Sequence, residues 1–333
     1  MLGMIRMTNQ SPCRRDLLRA VLAFGVAGLA KPTGASTRQS AVGRLAGAQS
    51  RGPRYDPSAK FDVVLTDVDF RRNSAGRMLR AHIYEPIGNG PFPAVLDLHG
   101  GAWNLRSRGG APMGRALAAT GVLVVSVDMT VSSEAPYPAC VQDANYGVRW
   151  LKWHAPRWHG DGSNIGVYGS SSGGHVAELL AMRPGDQRYN AFKLREAPGI
   201  DATVAYLVMR SPISDPYARF KNAETLHRDD MVRNHTLFFQ PWDSIHEGNP
   251  QEILDRHEPV KMVPVLIMQG AADDNMLPTV QEKFVSAYKA AGGFCEYHLF
   301  EGVGYDWLDR PGPQAERARE VVKAFIARRV NAR

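Results

Sequence analysis

Short apolar runs alternate with stretches of helical period from residue 61 onward. The runs at 61–70 and 79–84 alternate apolar and polar positions, as an antiparallel pair with one solvated face would. Six further runs are mostly apolar, which is typical of strands buried on both faces of a parallel sheet. They lie at residues 94–98, 122–127, 165–168, 204–208, 265–268 and 295–300. The pattern predicts the α/β class, with an eight-stranded, mostly parallel sheet flanked by helices.

Helices are predicted between these strands at residues 113–119, 141–154, 174–182, 279–291 and 314–328. The segment between the sixth and seventh strands is helix-prone but too long for one crossover helix. We interpret it as a small helical cap inserted after the sixth strand, at about residues 216–260. Its aromatic residues Phe220, Phe238, Phe239 and Trp242 are expected mostly to pack the cap onto the sheet.

The N-terminal region has a different composition. Arg14 and Arg15 precede an apolar run at 20–30 that is too short to span a bilayer. This order is typical of a Tat-type export signal, and the alternative is a basic N-terminal helix. Residues 1–35 are therefore predicted to be an export leader, residues 36–60 a linker, and residues 61–330 one domain. We expect an exported protein, periplasmic or secreted, without a stable membrane span once the leader is cleaved.

Charge and cysteine content narrow the function classes. The leader accounts for +4 of the formal net charge of +7, and the remaining +3 is ordinary surface charge, so we expect no nucleic-acid partner. Cys140 and Cys295 could pair in an oxidising compartment, but two cysteines make no framework, and we expect buried thiols. The chain has no zinc-type histidine or cysteine spacing and no dinucleotide glycine motif after the first strand. No metal or cofactor is predicted.

A candidate nucleophile follows the fifth strand. Residues 169–173 read Gly-Ser-Ser-Ser-Gly and open a predicted helix, the context in which Gly-x-Ser-x-Gly forms a nucleophile elbow. Of the three serines, Ser171 has glycine at both offsets. Glycine is required there because the serine backbone is strained, and side chains two positions away would collide with the crossing strand and helix.

A second glycine motif directly follows the third strand. Residues 99–103 read His-Gly-Gly-Ala-Trp. Consecutive glycines allow backbone N–H groups to turn toward a substrate carbonyl, so Gly100 and Gly101, with the N–H of Ser172, are predicted to form an oxyanion hole. A bare glycine turn is the structural alternative, but both motifs occur at the right strands in the right order.

A third feature, Gln-Gly-Ala-Ala-Asp-Asp-Asn at residues 269–275, follows the seventh strand. With these three features, residues 61–328 resemble the α/β-hydrolase superfamily, in particular its acetyl-esterase, hormone-sensitive-lipase-like and prolyl-oligopeptidase-like branches. The resemblance implies that Ser171 is the nucleophile and Asp273 the acid, with Asp274 as the alternative. It also implies a histidine base on the loop after the eighth strand.

That loop carries tyrosine where the relatives carry histidine. It reads Glu-Gly-Val-Gly-Tyr at residues 301–305. A tyrosine near pKa 10 is about 0.1% ionised at pH 7, whereas a histidine near pKa 6.5 readily accepts a proton, so Tyr305 is an inefficient base. We expect His298 in the eighth strand to lie too far upstream, His175 in the helix after Ser171 to be packed, and His99 in the oxyanion loop to be structural. Of the histidines in or beside the cap, one could swing over the serine: His227, His235, His246 or His257.

The resemblance implies a carboxylesterase-type serine hydrolase for small-molecule esters of small or medium acyl groups, impaired by Tyr305. Two alternatives stay open: non-hydrolytic acid/base chemistry by Ser171 and the Tyr305 hydroxyl, and a non-catalytic ligand-binding protein. Retention of the serine, the glycine pair and the aspartate disfavours pure binding. Because the main use of such an aspartate is to orient an imidazole, the esterase interpretation leads.

Overall fold

A computed structural model of the chain describes residues 54–106 and 111–332. Its eight strands form one sheet in the order β1-β2-β4-β3-β5-β6-β7-β8. The pairs β1–β2 and β2–β4 are antiparallel and the others are parallel. The strands are β1 Val63–Arg72, β2 Met78–Pro86, β3 Phe92–Leu98, β4 Leu123–Val127, β5 Gly160–Ser170, β6 Tyr206–Arg210, β7 Val265–Gly270 and β8 Cys295–Phe300. The predicted fold class is confirmed.

Nine helices occur in the part of the chain that the structure describes: α1 Ala111–Ala118, α2 Ala139–His154, α3 Ser172–Met182, α4 Pro216–Thr225, α5 Asp229–Phe238, α6 Ser244–Glu247, α7 Pro250–Asp255, α8 Pro278–Ala290 and α9 Pro313–Asn331. Five lie where the sequence predicts helices. The other four, α4 to α7, form a continuous insertion between β6 and β7, where the cap is predicted; we call α4–α7 the cap.

Apolar side chains cover both faces of the sheet. In β3, Leu96 belongs to a cluster with residues of α2, α3 and α8, whereas Val95 belongs to a cluster with residues of α1 and α9. Neighbouring positions of this strand therefore face opposite layers. Because both faces are buried, loops at the carboxyl ends of the parallel strands are left to form the site.

The folded unit begins before the predicted domain start. Tyr55 is buried, its backbone exchanges hydrogen bonds with the Asn331 side chain, and its hydroxyl lies 2.8 Å from the Thr120 hydroxyl. Residues from Tyr55 on thus pack on α9, where the sequence predicts a linker because the segment lacks an apolar period. The predicted leader, residues 1–35, lies outside the described residues, and export stays a prediction.

The two cysteines of the domain are free and buried, as predicted. Burial raises the pKa of Cys140 and of Cys295 to about 12, so both remain protonated thiols at neutral pH. Among the described helices, none is long and apolar enough to cross a bilayer.

Candidate active site

Ser171 lies at a sharp turn between β5 and α3. Its backbone has φ 54° and ψ −118°, a strained conformation for a residue with a side chain. The flanking glycines are sterically required: a β-carbon on Gly173 would lie 2.0 Å from the Leu98 carbonyl oxygen, and one on Gly169 would lie 2.7 Å from the Gly173 oxygen. The predicted glycine requirement therefore has a direct cause in the crossing of β3, β5 and α3.

The glycine loop after β3 lies against this turn. A β-carbon on Gly100 would approach the Ser171 β-carbon to 3.3 Å. Gly101, Ala102 and Trp103 all have positive φ, which turns successive N–H groups to one side of the loop. Within the described residues, we find no hydrogen-bond partner for the N–H groups of Gly101 or Ser172. These donors are free to bind an anionic oxygen, but their role as an oxyanion hole stays a prediction.

Asp273 follows β7 and is buried, with 2% of its surface exposed. Its Oδ1 accepts hydrogen bonds from the N–H groups of Asn275 (3.0 Å) and Met276 (2.9 Å). Its Oδ2 is also buried but has no hydrogen-bond partner within the described residues. Burial raises the pKa of the Asp273 carboxyl above its usual value, and those N–H groups, the nearby Ser211 hydroxyl and the Arg210 cation oppose this shift. The carboxylate thus has backbone donors on Oδ1 and the Ser211 hydroxyl beside it, and its Oδ2 makes no direct hydrogen bond within the described residues.

Asp274 lies at the surface. Its carboxylate is 70% exposed and pairs with Arg228 at 2.6 Å. Of the two candidate acids, the structure therefore buries Asp273 near the site and turns Asp274 toward solvent.

The loop after β8 packs tightly against the loop after β7. The Ala272 N–H donates to the Val303 carbonyl at 3.0 Å, and a β-carbon on Gly270 would lie 2.3 Å from the Gly304 oxygen. Gly270 must therefore be glycine for the two loops to approach. This contact holds position 305 beside the loop that carries Asp273.

Tyr305 is half-buried, and its ring lies over the guanidinium of Arg210, 4.6 Å from the ring centroid. Arg210 ends β6 and is 3% exposed. Its Nη2 donates to Asp309 Oδ2 at 2.8 Å and its Nη1 to Ser170 Oγ at 3.3 Å. A cation–π contact thus fixes the tyrosine ring at the position where the sequence analysis expects a histidine base. The sequence shows no motif that would single out Arg210.

Ser171 and Tyr305 open onto one cleft of about 370 Å³, which we call the Ser171 cleft. Its described lining consists of Gly101, Ala102, Asn104, Leu105, Ser171, Arg219, Asp230, Arg233, Asn234, Asn275 and Tyr305. No histidine is among these described residues. The cleft has room for a small ligand, and most of its side chains are polar.

The alternative histidines have other partners. His175 Nε2 donates to the Gly248 carbonyl at 2.7 Å, and His175 Nδ1 accepts from Trp103 Nε1 at 3.2 Å. His99 Nδ1 lies 2.7 Å from the Gly100 oxygen, and His298 Nε2 lies 3.7 Å from Glu296. His246 pairs with Glu252 at 2.9 Å.

His235, in the cap, contacts Arg219, which lines the cleft. Its Nδ1 donates to the Met231 carbonyl at 2.7 Å, so its Nε2 is the atom that accepts from Arg219, at 3.3 Å. The lone pair of His235 Nε2, which a base would need, is therefore already engaged by Arg219. Within the described residues, none of these five histidines hydrogen-bonds to Ser171, and His227 and His257 are exposed at the surface.

The cap aromatics pack as predicted. Trp103 of the glycine loop stacks on Phe238 at 4.5 Å and contacts Phe239 edge-on at 5.7 Å, while Phe220 contacts Trp242 at 4.6 Å. The cap is thereby held on the loop that carries Gly100 and Gly101.

We expect the protein to lose stability in mild acid because two buried histidines are neutral. Burial lowers the pKa of His175 to about 4, and burial together with the Arg219 cation lowers that of His235 to about 3. In the unfolded chain both have a pKa of about 6.5, so below that pH the unfolded state binds protons that the folded state does not. The free energy of unfolding should fall by about 2 kcal/mol for each histidine between pH 7 and pH 5.

Urea unfolding of the native chain and of His235→Gln at both pH values checks this expectation. The variant should lose about one histidine's share of the pH dependence. An unchanged pH dependence in the variant would show that His235 does not contribute.

Comparisons with known proteins agree with this architecture. The BD-FAE family model matches residues 82–288. Esterase LipC of Mycobacterium tuberculosis is 29% identical over 243 residues, which cover 68% of this chain and 56% of LipC. Carboxylesterase NlhH of the same organism is 36% identical over 104 residues, 30% of this chain and 32% of NlhH. The chain thus spans little more than half the length of the first of these relatives, and less of the second.

Among solved structures, esterase 2 of the planctomycete Thermogutta terrifontis, with propionate bound, matches with a TM-score of 0.61 at 21% identity, covering 80% of this chain and 93% of that one. A truncated carbohydrate esterase from gut microbiota matches with a TM-score of 0.65 at 20% identity, covering 84% and 99%. These likenesses confirm the α/β-hydrolase fold. The family match covers more than half of the sequence, and the chain belongs to the BD-FAE family.

Proposed function

We propose that the protein is a serine hydrolase of the carboxylesterase type that acts on esters of small or medium acyl groups, with Tyr305 impairing its base function. The names of its relatives support the ester-hydrolase class. The observation that carries the proposal is the strained Ser171 turn, which opens onto a cleft beside the free N–H groups of the glycine loop. A strained backbone conformation of this kind persists only where the surrounding structure holds it in place, and such residues cluster at active sites.

In this mechanism the Ser171 hydroxyl attacks the ester carbonyl, and its oxygen forms a bond to the carbonyl carbon. The N–H groups of Gly100, Gly101 and Ser172 stabilise the negative charge that develops on the carbonyl oxygen. The alcohol then leaves, and water hydrolyses the acyl-serine. Each of these steps requires a group that takes or gives a proton at the serine oxygen.

The site lacks an efficient acceptor for the serine proton. A neutral tyrosine takes the proton poorly, and loss of the base from a serine-hydrolase site costs on the order of 10⁶ in turnover, with about 10³–10⁴ over water left from the oxyanion hole and binding. We therefore expect slow hydrolysis of ordinary esters. Non-hydrolytic chemistry is the weaker candidate, because the open Asp273 oxygen suits an imidazole N–H.

Covalent labelling tests whether Ser171 is the nucleophile. A fluorophosphonate probe should add one phosphonyl group to the peptide that contains Ser171, quickly in Tyr305→His and slowly in the native chain. Ser171→Ala should gain none. Labelling of the alanine variant to the same extent would contradict the assignment.

A further inference from the structure

Arg219 is a buried cation in the wall of the Ser171 cleft. It lies in α4 of the cap, is 3% exposed, and lines the cleft together with Ser171 and Tyr305. A charged side chain is buried at this depth only where something compensates its lost hydration.

The partners of Arg219 in the protein are neutral. Its Nε and Nη2 donate to the Asn275 side-chain oxygen at 3.1 and 2.8 Å, and its Nη1 donates to His235 Nε2 at 3.3 Å. His235 is held neutral by burial, which together with the neighbouring cation lowers its pKa to about 3. None of these contacts supplies a negative charge.

The acidic groups near the cleft have other partners. Asp230 pairs with Arg233. The charge of the Asp273 carboxylate acts on Arg219 from nearby, but Asp273 makes no ion pair with it, and its Oδ1 accepts backbone N–H groups. Within residues 54–106 and 111–332, no carboxylate lies within 4 Å of the Arg219 guanidinium. The sequence of the intervening loop, residues 107–110, is Ser-Arg-Gly-Gly and contains no acid. Burial lowers the pKa of Arg219 to about 10, so the side chain stays charged at neutral pH.

We propose that Arg219 binds a carboxylate of the substrate, so that the preferred esters carry a negative charge. This proposal rests on the proposed esterase function and names its substrate class. The guanidinium has five N–H donors, of which its contacts with Asn275 and His235 use three, and a planar fork with free donors matches a carboxylate.

The other residues that line the Ser171 cleft also suit a small polar ligand. Asn104, Asn234 and Asn275 offer amide groups, and the apolar contribution comes mainly from Leu105 and the Tyr305 ring. A long neutral acyl chain would cover the Arg219 cation without neutralising it, and a site built to pair a polar group discriminates strongly against a ligand that lacks it.

Calorimetric titration of the full chain with monomethyl succinate and with dimethyl succinate tests the proposal. The two ligands differ in one charge and one methyl group. The native protein should bind the monoanion at least tenfold more tightly than the neutral diester, and Arg219→Gln should abolish this preference. Arg256→Gln, which removes an exposed charge at the end of α7, should preserve it.

Arg219→Lys keeps the charge without the fork and should retain a weaker preference, which covers the case in which Arg219→Gln fails to fold. Equal binding of both ligands by the native protein, or an undiminished preference in Arg219→Gln, would overturn the proposal. Because the titration measures binding and not turnover, the two proposals can fail separately. A chain that hydrolyses no ester would contradict the esterase proposal alone. Equal binding of the two ligands would contradict the Arg219 proposal alone.

Discussion

Replacing Tyr305 with histidine should raise ester turnover by a hundredfold or more. The loop contact through Gly270 and Gly304 holds position 305 beside the loop that carries the buried Asp273, whose Oδ2 makes no direct hydrogen bond within the described residues. An imidazole there can donate one N–H to that oxygen and use its other nitrogen to accept the serine proton. Base catalysis of this kind typically contributes 10²–10⁴-fold.

Steady-state hydrolysis of p-nitrophenyl acetate by the native chain and the variant measures the gain. Tyr305→Phe is the matched control, because it keeps the ring on Arg210 and removes only the hydroxyl. It should behave like the native chain. If Tyr305→Phe instead loses most of the native activity while Tyr305→His gains none, the tyrosine hydroxyl performs its own chemistry and the esterase account is wrong.

Asp273 should matter only when the histidine is present. In the Tyr305→His background, Asp273→Asn should remove most of the gain that the histidine brings, a loss of up to about 10⁴ in turnover when an amide replaces the carboxylate behind a catalytic imidazole. In the native background the same change should lower turnover by less than about tenfold, because a tyrosine has no ring nitrogen for the carboxylate to orient.

The four proteins form a double-mutant cycle, in which the non-additive part measures the coupling between positions 273 and 305. Asp274→Asn is the control, since its exposed carboxylate pairs with Arg228 and should have little effect in either background. An equal effect of Asp273→Asn in both backgrounds would assign it a structural role in the turn that ends at Met276.

Local signals in the sequence predicted much of the fold and the loops of the site. The strands are short runs that are either mostly apolar or alternate apolar and polar positions, and the glycines around Ser171 and in the oxyanion loop follow from steric limits on the backbone that depend on nearby positions. The choice between Asp273 and Asp274 could not be made in this way. Both follow β7, and only the packed structure turns one inward and the other to solvent.

Arg210 and Arg219 were not predicted. Each belongs to an ordinary strand or helix and has no motif, and its significance comes from partners far away in sequence, such as Tyr305 and Asn275. The inclusion of Tyr55 in the folded unit has the same origin, because its backbone bonds to Asn331 at the other end of the chain. A contact between two polar residues that are far apart in the chain leaves no periodic pattern in the sequence, so it cannot be predicted from hydrophobic periodicity.

The measurement that tests the central claim most directly is the p-nitrophenyl acetate turnover of Tyr305→His with and without Ser171. The account predicts that the single variant exceeds the native chain by a hundredfold or more, and that adding Ser171→Ala returns turnover to the uncatalysed rate or to the small residue left by oxyanion stabilisation. Turnover that stays at the native level in Tyr305→His, or a gain that survives the loss of Ser171, would contradict a serine-hydrolase site that lacks only its base.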